Sequence, residues 1–191
     1  KAEAEAANLT FHPDQVLPAW SETEAAQRAA SLLRSGSTHA AMKGLIHTDI
    51  LLKALLNASA GLRQPGTRVS HVFLADIPAY PKLLAISDAA VNIAPDLSAK
   101  AAILQHAIDL MASIGVDLPK AAILSAVETV NPLISSSLDA AALSVMSLRG
   151  QVRGAVVDGP LAFDNAISLK AAEIKGIASP VAGDADILLV P

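Results

Sequence analysis

The sequence predicts an α/β fold of three layers, in which a mostly parallel sheet is covered by helices on both faces. Two observations carry this. Short runs such as "AAILSAV", "GAVVDG" and "DILLV" are apolar at nearly every position, as strands buried on both faces must be; half-buried strands alternate instead. Between these runs lie segments of roughly ten to fifteen residues whose apolar positions recur at helical spacing. With 191 residues, 52% of them hydrophobic and 17% charged, the chain buries a sizeable core without help from metal or disulfides.

The first element is a helix. Ser21 and Glu24 form a capping box, and Ala25, Ala26, Ala29, Leu32 and Leu33 carry one apolar face to Gly36. Ahead of it, the Ala-rich stretch from Lys1 to Ala7 reads as a frayed helix end. "THAAM", Thr38 to Met42, reads as a short strand, and Thr48 caps a second helix bearing Leu51, Leu52, Leu55 and Leu56. "VSHVFLADI" and "LLAIS" flank the proline-rich "PAYPK", which suits two neighbouring antiparallel strands. Asp96 or Ser98 opens the next helix, with Leu104, Ala107, Ile108 and Met111 on one side and Gly115 at its end. The strand "AAILSAV" follows. Ser136 with Asp139 opens a further helix that carries Leu138, Ala142, Val145 and Met146 to Gly150, and "GAVVDG" is its strand. A shorter helix from Ser168 to Gly176 precedes "DILLV".

Several function classes are excluded at this level. A net charge of −4, with one Trp, one Tyr and three Phe, supplies neither the basic field nor the stacking rings that nucleic-acid binding uses. Mean hydropathy is positive, yet it comes from scattered alanines and short runs, and no apolar stretch approaches the ~20 residues of a membrane span. Zero cysteines rule out a disulfide scaffold and a thiolate nucleophile, and they agree with a reducing cytoplasm as the expected location.

Polar residues gather where strands hand over to helices: "MKGLIHTD", "SDAAVNIAPD", "SAVETVNP" and "VDGPLAFDN". In open α/β sheets ligands sit at that edge, because loops converge there and helix amino termini present free N–H groups. In the first segment Lys43 is a cation, Gly44 lets backbone approach closely, and His47 with Thr48 stand at a helix start able to hold a phosphate; alternatively Lys43 is solvated and Thr48 only a cap. Asp88, Asn92 and Asp96 read as caps and loop-fixing groups before metal ligands, since no His or Cys completes a set. Asp158, Gly159 and Asp164 stand at the expected mouth of a strand, where fixing the loop and touching a ligand are equally open readings. Of the five histidines only His47 falls at such a place. No P-loop, GxGxxG or G-x-S-x-G motif is present.

Taken in order, "MKGLIHTDILLKALL", "RVSHVFLADIPAYPKLLAISDAAVNIAPDL", "AILSAVETVNP", "VDGPLAFDNAIS" and "SPVAGDADILLVP" resemble the phosphate acetyl/butyryltransferase family from about Trp20 to Pro191. The "MKG" and "HTD" forms are more similar to its butyryl-type and hydratase-fused branches than to the acetyl-type branch. The resemblance implies a fold like that of isocitrate and isopropylmalate dehydrogenases. It implies transfer of a short acyl group between coenzyme A and inorganic phosphate, with no cofactor beyond coenzyme A and no metal. The implied partners are the small molecules acyl-CoA and phosphate and a second copy in a homodimer, with no nucleic acid and no membrane.

Lys43, Gly44, His47 and Thr48 are then expected to take the phosphate or acyl phosphate, while Lys53, Asp88, Asn92, Asp158, Gly159 and Asp164 are expected to bind coenzyme A or line the crevice. Lys53 resembles in position a family arginine near the coenzyme. Leu45, Ile46, Leu161 and Phe163 are the apolar candidates for the acyl chain. The family's catalytic Ser-Arg pair and its Asp base are expected beyond Pro191. The chain is therefore read as part of a longer two-domain protein, with residues 1–68 a portion of the first domain and 69–191 the second. A non-catalytic module that binds coenzyme A or acyl phosphate in the same fold is the competing reading.

Overall fold

The computed structural model describes residues 7, 8, 10–57, 62, 63 and 66–191. The frayed helix end expected over Lys1 to Ala7 lies, apart from Ala7, outside the described residues. The chain divides into two compact units, Lys1–Thr67 and Arg68–Pro191.

In the first unit, helix α1 (Glu22–Arg34) starts as its sequence dictates. The Ser21 hydroxyl accepts the Glu24 amide at 3.1 Å, and the Glu24 carboxylate reaches back to the Trp20 amide at 2.8 Å. Its buried face is Ala26 and Ala30, small enough for helix α2 (Thr48–Leu55) to pack closely against it. Thr48 is the first residue of α2, not its cap; the cap position belongs to His47, whose side chain makes no capping bond. The strand expected at "THAAM" does not form. From His39 to Leu45 every side chain is exposed, and a strand needs a neighbour for its amides and carbonyls.

The second unit is the sheet. Its elements run β1 (Val72–Ala75), β2 (Leu84–Ser87), α3 (Leu97–Ser113), β3 (Lys120–Leu124), α4 (Ser135–Leu148), β4 (Val156–Leu161), α5 (Phe163–Ile167), α6 (Leu169–Ile174) and β5 (Ile187–Leu189). Spatial order is β1-β2-β5-β3-β4, with β1 antiparallel to β2 and the other three pairings parallel. The expected hairpin and the mostly parallel sheet are both present.

Alternation within the strands builds a core on each face. Ala85, Ala121, Ile123, Ile187 and Leu189 face Ile103, Leu104, Ala107, Ile108 and Met111 of α3 and Ala140 and Leu143 of α4. Leu84, Ala122, Leu124, Leu161 and Leu188 face Ala166 of α5, Ala172 of α6 and the segment from Val181 to Ala185. Because successive side chains point to opposite faces, strands serving two cores must be apolar throughout.

Two helix starts resolve the sequence alternatives. Asp96, not Ser98, caps α3, its carboxylate accepting the Ala99 amide at 2.7 Å. For α4 the cap position falls on Ile134 without a side-chain bond, and the Ser136 hydroxyl pairs with Ser125 at 2.9 Å instead. The buried row of α4 is Ser137, Ala140 and Leu143, so Leu138 and Val145, expected inside, lie 42% and 52% exposed. Of the expected face, Met146 does pack against the core.

At the amino ends of the parallel strands an ion network ties three elements together. Lys82, just before β2, meets Asp184 at 2.6 Å and Asp186 at 3.1 Å, while Lys120 of β3 meets Asp184 at 2.6 Å. The Lys120 amide also donates to Asp186 at 2.8 Å. The bonds from Lys120 and Lys82 hold the Asp184 carboxyl below its ordinary range against a smaller opposing effect of burial. For Lys82 burial is the largest influence and disfavours charge, yet the bonds to Asp184 and Asp186 together outweigh it and raise the pKa.

The stability supplied by Asp184 is therefore complete above its unfolded pKa of ~4 and is lost as pH falls through the lower folded value, whereas that of Lys82 is complete below ~10.4 and lost on the alkaline side. In thermal unfolding, Asp184→Asn is expected to lower the midpoint near pH 7 and to lose less than the parent between about pH 5 and pH 3. Equal acid slopes in the two proteins would contradict the assignment.

Candidate functional site

Strands β2, β5, β3 and β4 point the same way, so the segments after Ser87, Leu124, Leu161 and Leu189 leave the sheet from one edge. Asp88 stands directly after β2 and is almost fully buried. Its carboxylate accepts the amides of Ala90 and Val91, both at 3.0 Å, the His71 amide at 3.2 Å and the side-chain amide of Asn92. Burial is the largest influence on its pKa and opposes ionisation. The bonds from Ala90, Val91, Asn92 and His71 together overcome that and place the carboxyl below its ordinary range. Asn92 is held in turn, donating to the Val69 carbonyl and accepting from Arg68, both at 2.9 Å. Of the two sequence readings for Asp88 and Asn92, this geometry supports loop-fixing, since both side chains are engaged with the chain itself.

The segments after β3 and β4 are joined by a second cluster. The Glu128 carboxylate accepts from Asn165 at 2.7 Å and from Lys175 at 2.5 Å, and Lys175 also meets Asp164 at 3.1 Å. The hydrogen bond from Lys175 is the main cause holding both carboxyls below their ordinary range, and bonding to Glu128 and then Asp164 raises Lys175. Asn165 is wholly buried, and its Oδ1 has no hydrogen-bond partner among the described residues. Asp164 was singled out from the sequence, but Glu128 and Lys175 were not. Glu128 stood in a segment recognised as polar, whereas the arrival of Lys175, 47 residues further on, is a tertiary event with no local signal.

Asp158 and Gly159 are not at a strand mouth. They lie within β4, which runs on through Pro160 to Leu161. Because β4 is an edge strand paired only with β3, the missing N–H of Pro160 interrupts nothing, and the Gly-Pro pair that looked like a stop signal is tolerated. The Asp158 carboxylate accepts the Gly159 amide at 2.9 Å. A Cβ on Gly159 would stand 2.7 Å from the Ile123 carbonyl oxygen and 2.9 Å from its Cβ, so glycine is required here by the approach of β3.

The remaining candidates belong to the first unit. The Lys43 ammonium folds back onto its own loop, donating to the Gly44 carbonyl at 3.3 Å and that of Ile46 at 3.2 Å. Lys43 does not follow a strand as expected, since 38–42 form none, and the space around Gly44 is open. The His47 amide donates to the Glu22 carboxylate at 3.0 Å, which gives one donor of the α2 start an internal acceptor. Lys53 is exposed, 3.6 Å from Asp49, and borders a groove of about 510 Å³ between α1 and α2 with Thr23, Gln27, Ala30, Ile50, Ala54 and Asn57. Among the described residues no three His, Asp or Glu side chains gather as a metal set, and no helix is long and apolar enough to cross a membrane.

Comparison with known proteins places these units in a family. The family model described as phosphate acetyl/butaryl transferase matches residues 16–191. The phosphate acetyltransferase of Rhizobium meliloti is 54% identical over 167 residues, 87% of this chain and 52% of the relative, and the probable phosphate butyryltransferase of Bacillus subtilis is 46% identical over 96% of this chain and 61% of the relative. Identity thus does not favour the butyryl branch. A solved branched-chain phosphotransacylase from Enterococcus faecalis V583 superposes with a TM-score of 0.81 at 35% identity, covering 92% of this chain and 62% of that one. The chain spans about half the length of the Rhizobium relative. A match across 16–191, with relatives at this identity and this sheet, settles the relationship: the chain belongs to the phosphate acetyl/butyryltransferase family.

Proposed function

We propose that the complete protein is a phosphate acyltransferase, converting a short-chain acyl-CoA and inorganic phosphate into acyl phosphate and coenzyme A, and the reverse. The observation that supports this best is the family match running without interruption over 16–191. In the reaction a phosphate oxygen attacks the thioester carbonyl carbon, the C–S bond breaks, and the coenzyme leaves as a thiolate that takes up a proton. The reaction uses no cofactor beyond coenzyme A. The proposal includes a cytoplasmic location, with which the lack of cysteine agrees.

The site must hold two anionic partners with the carbonyl between them, so it depends on cations, amide donors and rigid loops. The start of α2 supports the phosphate role of Lys43, Gly44, His47 and Thr48, because the His47 side chain makes no capping bond and, although the His47 amide is taken by Glu22, the first-turn amides that follow carry the positive end of the helix dipole. Lys53 adds a cation one turn further along. Asp88, Asn92 and Asp164 serve the coenzyme side by fixing the loops of the carboxyl edge, and Asp158 and Gly159 act behind them within β4.

Assayed as phosphate-dependent release of coenzyme A from acetyl-CoA and butyryl-CoA, the complete protein is expected to turn over, and Thr48→Ala is expected to raise the KM for phosphate more than that for the coenzyme. Binding of coenzyme A without turnover would favour the non-catalytic module.

The proposal includes a homodimer. On α4, Leu138, Val145 and Leu148 form an outward stripe spaced seven and three residues apart, and Leu148 is 85% exposed. A stripe of that spacing is complementary to its own copy across a twofold axis. Sedimentation velocity is expected to give a dimer that Leu148→Glu weakens; a monomeric parent would contradict it.

A further inference from the structure

Building on that acyltransferase reading, we infer that Phe163 is the side chain that sets acyl-chain preference, its ring forming the apolar wall against which the acyl group of the acyl-CoA rests. Phe163 opens α5 two residues beyond the end of β4, at the carboxyl edge of the parallel strands. It is the only Phe, Tyr or Trp in the segments that leave that edge, 88–96, 125–134, 162–168 and 190–191. A large aromatic normally gains by burial, yet this one is 57% exposed. Leu161, the other apolar candidate on the same stretch, is 2% exposed and committed to the core beneath the sheet, which removes it from any contact with a ligand.

The ring also stands on a fixed base. Its neighbours Asp164 and Asn165 are held by Lys175 and Glu128, the Ala166 amide bonds the Ala162 carbonyl at 3.0 Å, and the Ser168 amide bonds that of Asp164 at 2.9 Å. Val130, half exposed, lies two residues past Glu128 in the sequence. Exposed aliphatic side chains also occur in these segments, at Val91, Ile93, Val130 and Leu133, but Phe163 alone is aromatic and directly precedes two residues, Asp164 and Asn165, that the cluster holds, so its ring is a preorganised apolar platform. Leu45, in the first unit, rests on no comparable cluster among the described residues.

The chemistry divides the substrate accordingly. Its reacting carbonyl needs donors, whereas the alkyl tail distinguishes acetyl from butyryl only through apolar contact, where each methylene is discriminated by about 10- to 200-fold at most. A wall that recedes should admit the longer chain. One that advances should exclude it.

The test measures kcat/KM of the complete protein for acetyl-CoA, propionyl-CoA and butyryl-CoA in phosphate. Phe163→Ala is expected to raise the butyryl-to-acetyl ratio by about fivefold or more, and Phe163→Trp to lower it by a similar factor. Leu118→Ala, at an exposed position beside the opposite end of β3, is expected to leave the ratio within about twofold. If Phe163→Ala fails to fold, Phe163→Leu reads the same ratio in the same direction. A ratio within about twofold of the parent in both the small and the Trp variants, with activity retained, overturns the role of Phe163 alone. Failure of the unsubstituted protein to release coenzyme A with phosphate present overturns the acyltransferase reading itself, and does so before any variant is compared.

Discussion

Everything in the second unit follows from the burial of β5 on both faces. Ile187, Leu188 and Leu189 are essentially inaccessible, and the strand lies between β2 and β3 with a core above and below it. Its backbone groups must be satisfied by neighbouring strands, and no polar side chain along it would find water. Apart from Asp158 on the edge strand β4, the charges of the sheet therefore gather at its two ends. At the amino end Lys82, Lys120, Asp184 and Asp186 neutralise one another in a staple. At the carboxyl end the loops receive Asp88, Glu128, Asp164 and Lys175.

The two ends carry similar residue types with different consequences. Acids and lysines at the amino end close short gaps between three strand starts. At the carboxyl end the same types shape longer loops: Asp88 gathers three backbone amides and one side-chain amide, and Lys175 bridges carboxylates from two separate connections. If the proposed anionic substrates meet this edge, unpaired carboxylates facing them would be costly. Paired as they are, Asp88 with the amides of its own loop and Glu128 and Asp164 with Lys175, they hold the loops in place.

Much of this was legible in the sequence, for reasons visible residue by residue. Ser21 with Glu24, and Asp96 ahead of α3, are local capping chemistry, which needs no knowledge of the fold. Strands β3 and β5 were legible because two-sided burial leaves an unbroken apolar run. The errors arise where tertiary context decides. "THAAM" has strand-like composition but no neighbour to pair with, and the apolar pattern of α4 marks an outward stripe as readily as an inward one. Asp158 and Gly159 were placed at a strand mouth because Gly-Pro usually stops a strand, and only the edge position of β4 explains why it does not. Family membership was legible from the order of the polar segments, whereas the Glu128–Lys175 pair required the fold.

The central claim is that substrates meet this chain's sheet at the carboxyl edge, on loops held by Asp88 and Glu128. Hydrogen–deuterium exchange of the complete protein with and without coenzyme A tests it most directly, because each edge contributes separate peptides. Slower exchange on binding is expected in 88–92, 125–131 and 162–166. Slowing confined to the amino-end segments 80–84, 118–120 and 184–186 would contradict it.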